Sequence, residues 1–337
     1  MTQDQISLPN TSQNVHSRLF QLDGWRGISI LCVLAAHLLP LGPSSWKLNA
    51  TAGVLGMSLF FTLSGYLITS FLLERPQPVP FLIRRFCRIL PLAWTFMLIT
   101  LAVHLRPPEE WLANFLFYLN YTLYPQPFNS HLWSLCVEMH FYVSVALLVA
   151  LGGGKSLYLL PIICLVVTGI RVATGTFVSN NTHLRVDEIL VGSTIALISQ
   201  LNWNGQFTWT RFLRPELGIA FLLISCSPFS GSLQYLRPYA GGIAIGSTLI
   251  APEHWFSHAL KSKVLLYLAT ISYALYVIHG PFRAGWFAGS GTMDRYLIKR
   301  PLGILITFIL AHLSTFYFES YWIQLGKRLT AKPSRDD

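Results

Sequence analysis

Ten apolar runs punctuate the chain, near residues 22–41, 53–73, 89–105, 132–151, 157–173, 187–201, 216–229, 239–251, 264–285 and 301–325. About 20 apolar residues of helix cross the roughly 30 Å hydrocarbon core of a bilayer. The pattern therefore predicts an all-α integral membrane protein with about ten transmembrane helices. Several runs are shorter than the usual span, and those at 216–229 and 239–251 contain Pro or Gly, which marks tilted, broken or re-entrant segments. Segment 111–121, WLANFLFYLNY, is aromatic and follows acidic, Pro-rich sequence, so it reads as an interfacial helix rather than a span. No internal repeat is visible. The expected organisation is a polar tail over 1–20, one membrane domain over 21–326 and a short tail over 327–337.

Composition agrees. Of 337 residues, 53% are hydrophobic and only 11% are charged, against roughly 25% charged in an ordinary soluble domain. The net charge of +10 could suggest a nucleic-acid partner, but the basic residues fall in short loops between apolar runs, where the positive-inside rule accounts for them. The expected surroundings are membrane lipid, with no nucleic acid. ERPQPVPFLIRRFCR, Lys155, Arg211 with Arg214, Lys261 with Lys263, and the tail GKRLTAKPSR alternate onto one side, which places both termini in the cytosol. Arg295, Lys299 and Arg300 fall on the opposite side, so they either contradict the count or face an anionic ligand. Residues 1–20 lack the pattern of a cleaved signal peptide, which makes the first helix a retained anchor. The five cysteines are scattered, without pairing or metal-ligand spacing, and read as packing residues; no metal is expected.

Candidate chemistry lies in polar residues that a membrane interior disfavours. In DGWRGISILCVLAAH, Arg26 and His37 are eleven residues apart, about 1100° of helical rotation, so they share one face and stand about 16 Å apart along the axis. The remaining residues sort into two layers. Arg84, Arg85 and Arg88 fall at the cytosolic mouth of the third helix, and Glu138, Arg185, Asp187 and His279 in or near the outer half. Ionisable groups inside a membrane cost roughly 2.5–3.5 kcal/mol each on insertion scales and usually line a cavity or pathway. In HLWSLCVEMHFY, His131, Ser134 and Glu138 form a stripe at i, i+3 and i+7. A carboxylate beside an imidazole suits general-base chemistry, which makes Glu138 with His37 the pair to test first. The bland alternatives are a packing histidine bonded to a carbonyl and an ion pair of Glu138 with Arg185. The arginines read either as topology signals or as a phosphate clamp, which Arg26 would join. A polyphosphate with a long thin arm would span from this cluster to His37, and acyl-coenzyme A has that shape.

These residues resemble a known pattern. LDGWRGISILCVLAAH is similar to the opening of the membrane acyltransferase-3 family, with arginine, ten residues and histidine in place, and GMSLFFTLSGYLIT resembles its second helix. Arg85-Phe-Cys-Arg88 matches its arginine-x-x-arginine element; HLWSLCVEMHFY, RVDEILVGSTIA and ISYALYVIHGPF resemble three later segments. The resemblance implies a ten-helix membrane domain that moves an acyl group, commonly acetyl or succinyl, from cytosolic acyl-coenzyme A to a hydroxyl of a surface polysaccharide, oligosaccharide or glycolipid, in a bacterial inner membrane. It implies that His37 is the catalytic histidine, Glu138 the catalytic or supporting carboxylate, and Arg26, Arg85 and Arg88 the donor-binding arginines, with Arg84 adjacent. Met139-His140 and Gly280 depart from the family pattern. The chain ends soon after the tenth helix, from which no fused hydrolase-like domain is expected.

The mechanism expected is direct transfer to an acceptor hydroxyl deprotonated by His37, with Ser134, Tyr142 or His279 as candidate oxyanion donors and Arg185 and Asp187 on the acceptor side. An acyl-histidine intermediate is the variant. A proton-coupled transporter and a non-catalytic subunit of a glycan assembly complex are the rival classes, since both keep ionisable residues inside a bundle.

Overall fold

The computed structural model describes residues 19–122, 128–202 and 214–331; most of the polar amino-terminal tail, Arg211 and residues 332–337 lie outside the described residues. Among the described residues there is no strand, and each of the ten apolar runs is helical. In chain order the helices are α1 (Phe20–Leu38), α2 (Leu48–Glu74), α3 (Pro78–Val103), α4 (Pro108–Phe115), α5 (Trp133–Gly152), α6 (Leu160–Ala173), α7 (Asp187–Asn202), α8 (Pro215–Cys226), α9 (Arg237–Ile250), α10 (Trp255–Ala259), α11 (Lys263–Ile278), α12 (Arg300–Leu313) and α13 (Ser320–Leu329). The last two are continuous through a π-helical turn, so Asp294–Leu329 is one helix of 36 residues. Among the described residues, five helices are long and apolar enough to cross a membrane: Leu48–Glu74, Pro78–Val103, Ser130–Gly152, Gly154–Ala173 and Asp294–Leu329. The segment expected to be interfacial forms the eight-residue α4, too short to span.

Two basic segments differ from their sequence reading. The stretch containing Arg84, Arg85 and Arg88 is helix rather than loop, because α3 already starts at Pro78, and proline is well placed in a first turn where its missing N–H has no intrahelical partner. The α2–α3 connection is only Arg75–Gln77. Arg295, Lys299 and Arg300 are each engaged within the protein. Arg295 donates to the Ala288 carbonyl, Lys299 pairs with Asp294 at 2.8 Å and lies over the Trp286 ring, and Arg300 donates to the Phe282 carbonyl at 2.7 Å. These charges hold together the loop that follows α11, which explains basic residues on the wrong side of the charge count.

Glycines set which helices come close. A Cβ on Gly65 would lie 1.8 Å from the Ile189 carbonyl oxygen, and one on Gly192 would lie 1.9 Å from that of Thr62, so α2 and α7 cross backbone to backbone. Gly24 and Gly27 do the same for α1, with 2.1 Å to the Leu260 oxygen and 2.5 Å to the Leu265 oxygen at the start of α11. Small residues allow such approach where apolar surface alone gives helices no reason to associate in lipid. The consequence for the site is direct: α1 and α11 run side by side in the same direction, so their carboxyl-terminal ends, carrying His37 and His279, meet. Gly192→Ala is expected to lower stability by about 1–3 kcal/mol, the range for overpacking. Gly169, where an added methyl group would meet no atom within 4 Å, serves as the control; equal thermal unfolding midpoints for the two alanine variants in detergent would contradict the close crossing.

Candidate functional site

Three imidazoles converge where α1, α5 and α11 meet. His37 Nδ1 lies 2.8 Å from His279 Nε2, and His279 Nδ1 lies 2.7 Å from the Tyr276 carbonyl oxygen. A carbonyl only accepts, so His279 donates from Nδ1 and its neutral ring offers a lone pair at Nε2. That lone pair accepts the His37 Nδ1 proton, which leaves the His37 Nε2 lone pair unprotonated and without a partner among the described residues. An imidazole held in this tautomer is a general base with its second nitrogen already anchored. His131 packs against the His279 ring, 4.7 Å between centroids, and donates from Nε2 to the Val277 carbonyl at 3.0 Å. Its buried Nδ1 has no partner. A Cβ on Gly280 would lie 2.3 Å from the His131 ring, so the glycine is needed there for the ring to fit.

His37 and His131 line a cavity of about 470 Å³, together with Asn49, Trp133, Arg185 and Arg283. At the other end of the bundle, Arg84, Arg85 and Arg88 with Lys327 of α13 line a second cavity of about 190 Å³. A third, which shares Arg85 and Arg88 with it, adds Arg26, Glu138 and Tyr142. Three guanidiniums there face one lining carboxylate, Glu138, and Asp23 pairs with Arg26 at 3.4 Å, so one positive charge is left in excess and the space favours an anion. A narrow fourth cavity touches the third at Arg26, Phe60 and Ser272, and touches the histidine cavity at Val33, Met57 and Tyr276. A string of cavities that share wall residues therefore extends from the arginines to His37. Its waist is about 10 Å³, roughly one water-sized sphere, so an organic chain passes only if the Met57 and Phe60 side chains move.

The structure redistributes the residues singled out from sequence. Arg26, Arg85 and Arg88 come together as expected, and Arg84 stands beside them, bonded through Nε to the Thr330 hydroxyl. Glu138 does not meet His37. It accepts hydrogen bonds from Ser64 and, at 2.6 Å, from Tyr142, and it lies among the arginines. The i, i+3, i+7 stripe explains why: it runs along α5, so Glu138 stands about 10 Å along the axis from His131 and falls to the arginine level. Tyr142 moves with it, away from the acceptor side. Ser134 is bonded to the Tyr276 hydroxyl, which in turn donates to the His131 carbonyl, so it braces α5 against α11. His279 is the partner of His37. Asp187 pairs with Arg171 in the buried core and lines none of these four cavities. Arg185 does line the histidine cavity, with its guanidinium against the Phe61 and Trp133 rings.

Behind that cavity lies a buried ionic cluster. Arg185 and Arg237 share Glu188, at 3.3 and 2.8 Å, and Arg171 and Arg237 both donate to the Phe177 carbonyl. Sequence reasoning missed Arg283, Lys327, Ser64 and the bracing role of Tyr276. Of these only Tyr276 carried a signal, three residues before His279 on the same helix face.

A bundle with ionisable groups strung along an internal passage and several spanning-length apolar helices is an integral membrane protein. The profile described as the acyltransferase domain matches residues 19–322, and the chain belongs to that family, the membrane acyltransferase-3 family. It is similar to a peptidoglycan O-acetyltransferase of Listeria monocytogenes, 26% identical over 89% of this chain and 55% of that protein. A putative O-acetyltransferase of Staphylococcus aureus is 26% identical over 93% of this chain and 59% of its own length. A putative peptidoglycan O-acetyltransferase of Bacillus subtilis is 25% identical over 90% and 55%. The chain thus spans somewhat over half the length of these relatives. No solved structure matches it.

Proposed function

We propose that this chain is a transmembrane O-acyltransferase that carries an acetyl or succinyl group from cytosolic acyl-coenzyme A to a hydroxyl of a cell-surface glycan or lipid-linked glycan. In this reading all ten apolar helices span a bacterial inner membrane with both termini in the cytosol, and the arginine end faces the cytosol. The observation that carries it is the string of cavities between the guanidinium cluster and the unpartnered Nε2 of His37. Arg26, Arg85 and Arg88 hold the donor phosphates through charge-assisted hydrogen bonds. The pantetheine arm enters the waist and brings the thioester carbonyl toward His37. His37 Nε2 takes the proton of the acceptor hydroxyl, and the sugar oxygen attacks the carbonyl carbon. The C–S bond then breaks, and the imidazolium returns its proton to the departing thiolate. His279 accepts from the His37 Nδ1–H throughout and so favours the cationic ring. Glu138 limits repulsion among the arginines.

Two experiments test this. Purified protein incubated with labelled acyl-coenzyme A donors and candidate glycolipids is expected to add acyl mass to a glycolipid; proton-driven substrate flux without acyl chemistry would instead make it a transporter. In the Arg85→Gln/Arg88→Gln double variant, coenzyme A affinity is expected to fall by about 100-fold or more, because each hydrogen bond to a charged group contributes about 1.5–3 kcal/mol. Calorimetry on the inserted protein checks this. Equal weakening of glycan binding, or failure to insert, would return those arginines to a topological role.

A further inference from the structure

The histidine cavity has a charge that general-base catalysis does not require. Among the residues lining it are two guanidiniums, Arg185 and Arg283, and no Asp or Glu. Arg283 follows α11 by five residues, and its backbone carbonyl, with that of Phe282, receives donors from Arg300, which fixes the turn. Its own guanidinium is half-buried and makes no hydrogen bond or ion pair among the described residues. Arg185 is 2% exposed, and two of its nitrogens, Nε and Nη1, are buried without a partner. Its one carboxylate, Glu188, is shared with Arg237. With Arg171 and Asp187, that cluster counts three guanidiniums against two carboxylates, so a positive charge remains uncompensated beside the cavity. Uncompensated buried charge is costly unless something supplies the counter-charge.

From this arrangement we infer that the acceptor sugar carries an anionic substituent, a carboxylate or a phosphate, which Arg283 binds directly while Arg185 adds its field from the same cavity's wall. The inference rests on the acyl-transfer reading for the word acceptor. The binding site itself does not depend on that reading. Trp133, whose ring already faces Arg185, gives the same cavity an apolar platform of the kind that binds a sugar face, while the Asn49 amide on its wall is already bonded to the Ala36 and Leu39 carbonyls and the Leu41 N–H. The donor phosphates are held at the far arginine cluster, beyond the waist, so the two cationic sites serve different ligands.

The test measures binding rather than turnover, on the full chain in lipid nanodiscs. Methyl glucoside, methyl glucuronide and methyl glucoside 6-phosphate are titrated by calorimetry. The glucuronide, the phosphate or both are expected to bind at least tenfold more tightly than the neutral glucoside, and the better of the two identifies the substituent. Arg283→Gln is expected to erase that preference, and Arg283→Lys to keep part of it. Equal affinity for all three sugars, no detectable binding of either anion, or an unchanged preference in Arg283→Gln would overturn the inference. Donor consumption by the same preparations, followed separately with His37→Ala as the blank, reports on acyl transfer; its absence would sink the transfer reading while the binding comparison still judges the anionic site.

Discussion

Substituting His37 by Ala is expected to lower acyl transfer by about 10²–10⁴-fold, the usual contribution of a positioned general base, while coenzyme A binding stays within a factor of about two of wild type. The split follows from distance. The arginines that would hold the donor phosphates lie beyond the waist of the passage, and Arg26 stands about 16 Å from His37 along α1, so the substitution removes the proposed base and leaves the anchor. His279→Ala is expected to fall between the two, since it removes no group that touches the acceptor. It frees the His37 Nδ1 proton, and both tautomers of His37 then become available, only one of which keeps the lone pair on Nε2. Measuring initial rates of labelled glycan formation beside calorimetric donor affinity separates these cases. Wild-type rates in His37→Ala would remove histidine from the mechanism, and equal loss of rate and donor affinity would show that the two ends are not independent.

The helices were legible in the chain because lipid leaves backbone polar groups only intrahelical partners, which makes long apolar runs helical with little competition. The ends of helices were harder to read. The stretch before the third apolar run is polar and contains three prolines, the usual signs of a loop, yet Pro78 opens a helix there and the arginines that follow line an internal cavity. Polarity in a membrane sequence thus has two sources, water outside the bilayer and water or ligand inside the bundle, and hydropathy does not distinguish them.

The site was half legible for a related reason. Helical spacing placed Arg26 and His37 on one face, and both line the passage. Periodicity says which residues share a face of one helix, but the partner of a side chain depends on the level at which another helix crosses. His131 and Glu138 share a face of α5, yet one reaches the imidazoles and the other the guanidiniums. Arg283 was invisible for a different reason: it sits in a short turn held by Arg300, where no periodic signal exists.

Glu188→Ala is expected to be the most destabilising single change, by about 3–5 kcal/mol, the cost of breaking a buried pair from one side. Glu188 is fully buried and is the carboxylate partner of both Arg185 and Arg237. Losing it leaves two guanidiniums in the core with a single remaining carboxylate nearby, Asp187, which Arg171 already occupies. The Phe177 carbonyl, which accepts from Arg171 and Arg237, cannot replace a formal charge. Glu188 sits in the first turn of α7, the helix that crosses α2 through Gly65 and Gly192, so the damage spreads to the closest helix contact in the bundle. Thermal unfolding in detergent, with Glu216→Ala as an exposed comparison on α8, reads the effect; Glu216 pairs with His254 at the surface, where such pairs contribute about 0–1 kcal/mol. Similar midpoints for the two variants would mean that the cluster is solvated and that Arg185 has a counter-charge other than Glu188, which would also weaken the case for an anionic acceptor.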